Sequence, residues 1–146
     1  MGEKGKLAEQ IFATGKNCSQ TVVLAFKDEL GLSEDLIKKI SIGFGGGFGR
    51  QREVCGAISG MTMILSYLLS DGEDKLANYK IIQEACAEFK KEFGTIICAE
   101  LLDGIPVDKL PKPEERTKEY YEKRPCSEIC AVAADITQKL LDKYKK

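Results

Sequence analysis

The sequence contains no histidine. That absence removes Cys-His and Ser-His nucleophile pairs, ordinary catalytic zinc sites, and haem attachment through a Cys-x-x-Cys-His run. Tryptophan is also missing, and aromatic side chains make up only 8% of the chain. Net charge is nearly absent, because 22 basic residues face 23 acidic ones and the signs alternate along the chain. With no basic stripe to follow a phosphate backbone, nucleic acid is excluded as a partner. Long apolar runs are absent as well. The longest charge-free stretch, residues 54–70, is interrupted by Ser59, Thr62 and Ser66 and falls short of the roughly 20 residues of a spanning helix. It reads as a buried central helix, and membrane insertion is not expected. The opening residues Met1-Gly2-Glu3-Lys4-Gly5-Lys6 carry charge with no apolar stretch behind them, unlike a signal peptide, and Lys6 stands where a myristoylation signal places Ser or Thr. A cytoplasmic location with reduced thiols is the expectation.

What chemistry the chain has must therefore use cysteine, carboxylate, lysine or backbone. A chain of 146 residues can bury roughly 68–70% of its unfolded surface without disulfide or metal staples. Six cysteines, at positions 18, 55, 86, 98, 126 and 130, are more than such a domain needs.

Apolar residues recur at helical spacing and no alternating strand pattern appears, so the fold class is all-α: one domain over residues 1–146, a bundle of about six to eight helices. A short first helix covers 6–13. Asn17 caps a second over 18–30, with Cys18, Val22, Phe26 and Leu30 on one face and Gly31 at its end. Ser33, followed by Glu34 and Asp35, starts a third. The run Gly43-Phe44-Gly45-Gly46-Gly47-Phe48-Gly49 then forbids regular helix before the central one over 54–70. A longer amphipathic helix over 73–93 presents Leu76, Tyr79, Ile82, Cys86, Phe89 and Phe93 inward and stops at Gly94. Thr95 caps a brief turn carrying Cys98, Leu101 and Leu102. All four prolines fall between 106 and 125, marking a long polar excursion with one exposed helical segment. Pro125 suits the first turn of a last helix whose inner face holds Cys126, Cys130, Ala133, Ile136, Leu140 and Tyr144.

Cys18, Cys55, Cys98 and Cys126 each fall in the first turn of an expected helix, where free N–H groups and the positive end of the dipole stabilise thiolate. Cys86, mid-helix on an apolar face, reads as core. Cys130, one turn after Cys126, reads as core, spare ligand or resolving thiol. Cys55 stands out: Arg50 and Arg52 precede it, and Gly56 with Gly60 lets another backbone approach its helix or serve an interface between copies of the chain. The glycine run does not fit Gly-x-Gly-x-x-Gly, because Arg50 stands where the third glycine belongs. Its economical role is close approach: Gly45, Gly46, Gly47 and Gly56 wrap over a disulfide or bound group while Phe44 and Phe48 dock the loop and exclude water. Glu84, Glu88, Glu92 and Glu100 read as solvated helix faces, and Tyr120 with Tyr121 as a surface patch or a lid.

These residues resemble the redox-active family named for its C_GCAxxG_C_C cysteine pattern. The resemblance is carried by Asn17-Cys18-Ser19-Gln20, by the glycine loop leading into Cys55-Gly56-Ala57-Ile58-Ser59-Gly60, by Phe93-Gly94-Thr95-Ile96-Ile97-Cys98 with Glu100-Leu101-Leu102, and by Arg124-Pro125-Cys126. It implies a redox role for Cys18, Cys55, Cys98 and Cys126 and fixes no substrate. Two chemistries suit four such thiols. In one, Cys55 attacks a disulfide or oxidant and a neighbour such as Cys18 resolves the intermediate, with a redox protein as partner. In the other, the four thiolates ligate an iron–sulfur cluster or another metal; gaps of 37, 43 and 28 residues are foreign to a zinc ribbon or ferredoxin but leave convergence in space open. A third reading is a helical adaptor with structural cysteines that binds a partner through the 105–125 excursion.

Overall fold

Side chains at four helix starts set the boundaries. Asn17, Ser33, Asp74 and Thr117 each accept a hydrogen bond from the N–H three residues on, satisfying a donor that the helix itself cannot. At Asn17 the cap is reciprocal, since Gln20 Oε1 accepts the Asn17 N–H. The computed structural model describes residues 1–145. Along it run α1 (Glu3–Phe12), α2 (Cys18–Ala25), α3 (Lys27–Leu30), α4 (Glu34–Ser41), α5 (Gly45–Phe48), α6 (Gly56–Leu69), α7 (Lys75–Phe93), α8 (Cys98–Leu101), α9 (Lys118–Lys123) and α10 (Cys126–Tyr144). Three of these, α3, α5 and α8, are single four-residue turns, and α5 is not regular helix, since Gly46 and Gly47 within it are left-handed. The other seven match the expected bundle, and no strand occurs among the described residues beyond an isolated antiparallel bridge between Val54 and Ile97.

The central helix α6 packs against α2, α10 and α7, and α1 lies along α10. Gly60 makes the closest of these approaches possible: a Cβ there would stand 3.0 Å from the Ser19 carbonyl oxygen and 3.1 Å from Val22 Cβ. The Gly56 and Gly60 face is thus an interior seam between α6 and α2. Phe12, Phe26, Met61, Ile64, Leu65, Phe89, Ile129 and Leu140 are fully buried around it. Each such side chain contributes about 1.5–3 kcal/mol of transfer free energy, and truncating Met61 to Ala would cost about 2–5 kcal/mol.

Several expected boundaries shift. The first helix begins three residues earlier, at Glu3, because Asp135 accepts the Gly2 and Gly5 N–H groups and anchors its start on α10. The single helix expected over 18–30 breaks at Phe26, whose φ of −111° and ψ of 19° divide α2 from α3. On α7 the inward set is narrower than its periodicity suggests. Ala85 and Phe89 are buried, whereas Leu76 is 67% and Tyr79 57% exposed, the first turns of α7 being almost bare. Tyr144, expected inside, is exposed at the end of α10. No described helix is long and apolar enough to cross a membrane.

Candidate functional site

Four helix starts converge on one cavity of about 350 Å³, and each brings a cysteine to its wall. Cys18 opens α2, Cys55 is the N-cap of α6, Cys98 opens α8 and Cys126 opens α10. All six cysteines of the chain are free thiols. The Cys18 side chain is the most central of these thiols, close enough to Cys126, Cys130 and Cys55 for each to influence its acidity. Cys130, one turn into α10 and fully buried, also donates to the Cys18 carbonyl at 3.9 Å. The sequence reading left its role open; its i, i+4 spacing from Cys126 is the signal that places both on one face. Cys86 is half-buried on α7, away from this cavity.

The glycine run shapes the wall by letting backbones touch. Gly46, Gly47 and Gly49 have φ of 65°, 73° and 62°, and Phe48, Arg50 and Arg52 join them at 71°, 66° and 63°. Three non-glycine residues in the left-handed region within five positions is an unusual concentration of strain, of the kind held only where surrounding contacts enforce it. The contacts here are backbone hydrogen bonds from Arg50, Arg52 and Glu53 to Gly45, Gly46 and Gly47. Beyond them, Cys55 N–H bonds to the Ile96 carbonyl at 2.8 Å and Cys98 N–H to the Glu53 carbonyl at 2.7 Å, which ties the starts of α6 and α8 together. A Cβ on Gly47 would stand 2.8 Å from Cys98 Cβ, one on Gly56 2.9 Å from the Phe44 carbonyl oxygen, and one on Gly45 would collide with Asn17. Gly45, Gly46, Gly47 and Gly56 therefore line the cavity as parts of a tightly packed frame. Phe48 does not dock the loop as expected. It is 57% exposed and stacks on the half-buried Phe44 at 5.5 Å, because its left-handed backbone turns it outward.

The thiols differ in acidity. The hydrogen bond from Cys18 is the main influence on Cys126, lowering its pKa to about 7 against the opposing effect of burial, with Arg124, Arg116 and Arg52 adding to the decrease. Cys18 is pushed well above the ordinary range because its S–H serves as donor to the neighbouring Cys126, Cys130 and Cys55 sulfurs, with burial adding to the rise. The same donor lowers Cys55, helped by the Ala57 and Ile58 N–H groups at the start of α6. At Cys130 the contact with Cys18 favours thiolate, but burial and the charges of Cys55 and Cys126 hold the thiol form. Cys98 is raised by burial in spite of Arg52.

Arg50 and Arg52 do not form an electropositive entrance to Cys55. Arg52 Nη1 donates to Cys98 Sγ at 3.8 Å, and Arg50 faces the polar excursion, reaching Asp108, Glu114 and the carbonyls of Leu110 and Lys112. That excursion, expected to be polar with one exposed helical segment, carries α9 and lines the cavity with Pro111, Pro113 and Glu114. Glu114 hydrogen-bonds to Arg50 and Arg124 and makes a longer ion pair, at 3.8 Å, with Arg52. Arg116 stacks on Phe12 and Tyr120, and Tyr120 lines the cavity, so of the two readings for Tyr120 it has the position of a lid. Burial and the negative charge at Cys126 push the Tyr120 hydroxyl up to about 12. Glu114, Arg116 and Arg124 looked like ordinary surface charge in the sequence. Only their clustering with prolines hinted at a fixed strap. Glu84 and Glu88 form surface ion pairs with Lys143, Lys139 and Lys91, while Glu92 and Glu100 are exposed.

Among the described residues no three cysteine or carboxylate side chains stand as a ligand set for a metal ion. No curated protein and no solved structure matches the chain. A family model described as "Putative redox-active protein (C_GCAxxG_C_C)" matches residues 16–140, the segment that carries every site residue above. The chain belongs to this C_GCAxxG_C_C redox-active family.

Proposed function

We propose that the protein is a two-electron thiol–disulfide oxidoreductase in which Cys126 is the attacking thiolate and Cys18 the resolving thiol. The observation that carries this reading is the convergence of Cys18, Cys55, Cys98 and Cys126 on the wall of one cavity, where Cys18 and Cys126 shift each other's acidity. Cys126 is the stronger nucleophile candidate than Cys55 because the guanidiniums of Arg124, Arg116 and Arg52 favour its thiolate, whereas the main influences on Cys55 include no arginine. A thiol with pKa near ambient pH is also the optimum attacker, since a lower pKa sacrifices nucleophilicity.

The step balances as follows. Cys126 thiolate attacks one sulfur of a disulfide, forming a mixed disulfide and releasing the first substrate sulfur as thiolate. Cys18 gives up its proton to that thiolate and attacks Cys126 Sγ, expelling the second substrate sulfur as a thiolate. Two electrons leave the protein, which ends with a Cys18–Cys126 disulfide, and the substrate ends as one thiol and one thiolate, the latter taking its proton from solvent. Run in reverse, the same steps reload the protein from a reductant. Cys55 is a second thiol able to resolve Cys126, and Cys98 lies behind Arg52. We assign the protein to the cytoplasm, where thiols are kept reduced; six unpaired cysteines suit that compartment.

Differential alkylation with peptide mass spectrometry tests the reading. Reduced protein treated with bis(2-hydroxyethyl) disulfide should lose two thiols, and the new crosslink should join Cys18 to Cys126. Six thiols that react only on unfolding would refute it in favour of structural cysteines. Near-stoichiometric iron in protein purified without oxygen, lost in Cys18→Ser, would replace the dithiol step with a cluster.

A further inference from the structure

The walls of the cavity carry four guanidiniums, from Arg50, Arg52, Arg116 and Arg124, against the single carboxylate of Glu114. Most of that charge is already satisfied. Arg50 is spent on the strap, Arg124 pairs with Glu114, and Arg116 donates to the Phe12 and Lys16 carbonyls and to the Tyr121 hydroxyl. Arg52 differs. Its Nε bonds to the Asp108 carbonyl at 3.0 Å and its Nη1 to Cys98 Sγ, but its Nη2 is buried with no hydrogen-bond partner among the described residues. The nearest carboxylate oxygen, Glu114 Oε1, stands 3.8 Å away, outside hydrogen-bonding range. Arg52 is only 5% exposed and is held there by a left-handed backbone. The Arg52 charge is met by this long ion pair with Glu114, but its buried N–H has no acceptor; such a group is costly, and the cost persists where a ligand supplies what is missing.

We infer that the cavity takes a compact, carboxylate-bearing disulfide, with the carboxylate bound by Arg52 Nη2 and the disulfide presented to Cys126. This rests on the thiol–disulfide reading above and adds the substrate class. A volume of about 350 Å³ lies at the small end of ligand pockets, which run roughly 300–1,000 Å³, and so admits a low-molecular-weight disulfide in preference to one embedded in a folded protein. The reaction is the exchange already described: the substrate S–S bond breaks, the Cys18–Cys126 bond forms, and two carboxylate-bearing thiols leave.

Three disulfides of similar size, one negative, one neutral and one positive, separate this inference from the reading beneath it. Reduced full-length protein is mixed with 3,3′-dithiodipropionate, bis(2-hydroxyethyl) disulfide or cystamine, and formation of the Cys18–Cys126 crosslink is timed. Each rate is divided by the rate of the same reagent with a small free thiol. The dicarboxylate should lead the neutral reagent by about tenfold or more, with the dication slowest. Its lead should shrink as salt is raised and should vanish in Arg52→Gln, while Arg52→Lys retains part of it. Equal normalised rates, or a lead indifferent to salt in the unaltered protein, would overturn the inference and leave the thiol–disulfide function standing. No crosslink with any reagent would overturn both. The salt series needs no variant, so it decides the matter even if Arg52→Gln does not fold.

Discussion

Replacing Cys18 by Ala removes the hydrogen bond that contributes most to the acidity of Cys126. A hydrogen bond to a charged group contributes about 1.5–3 kcal/mol, and one pKa unit corresponds to about 1.4 kcal/mol. The midpoint of Cys126 should therefore rise by about 1–2 units from its starting point of about 7. The assay is the pH profile of iodoacetamide alkylation, read at the peptide that contains Cys126. Rate at one pH is a weak readout, because the more basic thiolate is also the better nucleophile and offsets part of its lower abundance. The midpoint carries the information. Cys18→Ser keeps a hydroxyl donor and should fall between the parent and Cys18→Ala. An unchanged midpoint in Cys18→Ala, with helicity and melting intact, would show that the arginines alone set the thiolate and would refute the hub role of Cys18.

Because the folded pKa of Cys126 lies near 7 against an ordinary 9.0, its thiolate stabilises the native state fully above the unfolded pKa. That contribution, about 2–3 kcal/mol, is lost as pH falls through 7; urea midpoints should rise between pH 7 and 9 and lose that rise in Cys126→Ser. Gly47→Ala meets Cys98 Cβ, Arg52 Cα and the Glu53 nitrogen within 3 Å at a φ of 73°, so strain and overpacking together should cost about 2–4 kcal/mol. Gly15→Ala, at φ 99° with open space around it, should cost only the backbone share, about 1–2 kcal/mol, in the same denaturation experiment. Glu114→Gln removes the carboxylate shared by Arg50, Arg52 and Arg124; limited proteolysis should then cut the 104–117 segment faster, and the Cys126 midpoint should move further down.

Much of the fold was legible because caps and periodicity are local. Asn17, Ser33 and Gly31 mark their boundaries by chemistry that needs no partner. The four helix-start cysteines were legible for the same reason, as each follows a cap, a glycine run or a proline. Their meeting at one cavity was not, since it depends on how α2, α6, α8 and α10 pack. Phe26 looks like any apolar helix residue, and nothing local announces the break there. Leu76 and Tyr79 follow the periodicity of α7 but belong to turns that outrun the core, a matter of tertiary extent. The strap around 105–117 was least legible: Arg50 and Glu114 are 64 residues apart, and short-range pattern carries no information about that distance.

The hub arrangement also limits what the cluster does after one turnover. Cys18 has a single proton, and it lowers the acidity threshold of Cys126 and Cys55 by sharing that proton. Once Cys18 is joined to Cys126, that donor is gone. Cys55 then loses its largest acidifying influence and, at the same time, the repulsion from the Cys126 thiolate, the smaller of the two. What remains for it are burial, which opposes charge, and the Ala57 and Ile58 N–H groups, which favour it. Oxidation therefore leaves Cys55 more protonated and less reactive than in the reduced protein. A cluster of buried thiols at one cavity could pass oxidation on from pair to pair; the loss of the Cys18 donor disfavours that next step through Cys55 until a reductant restores the first pair.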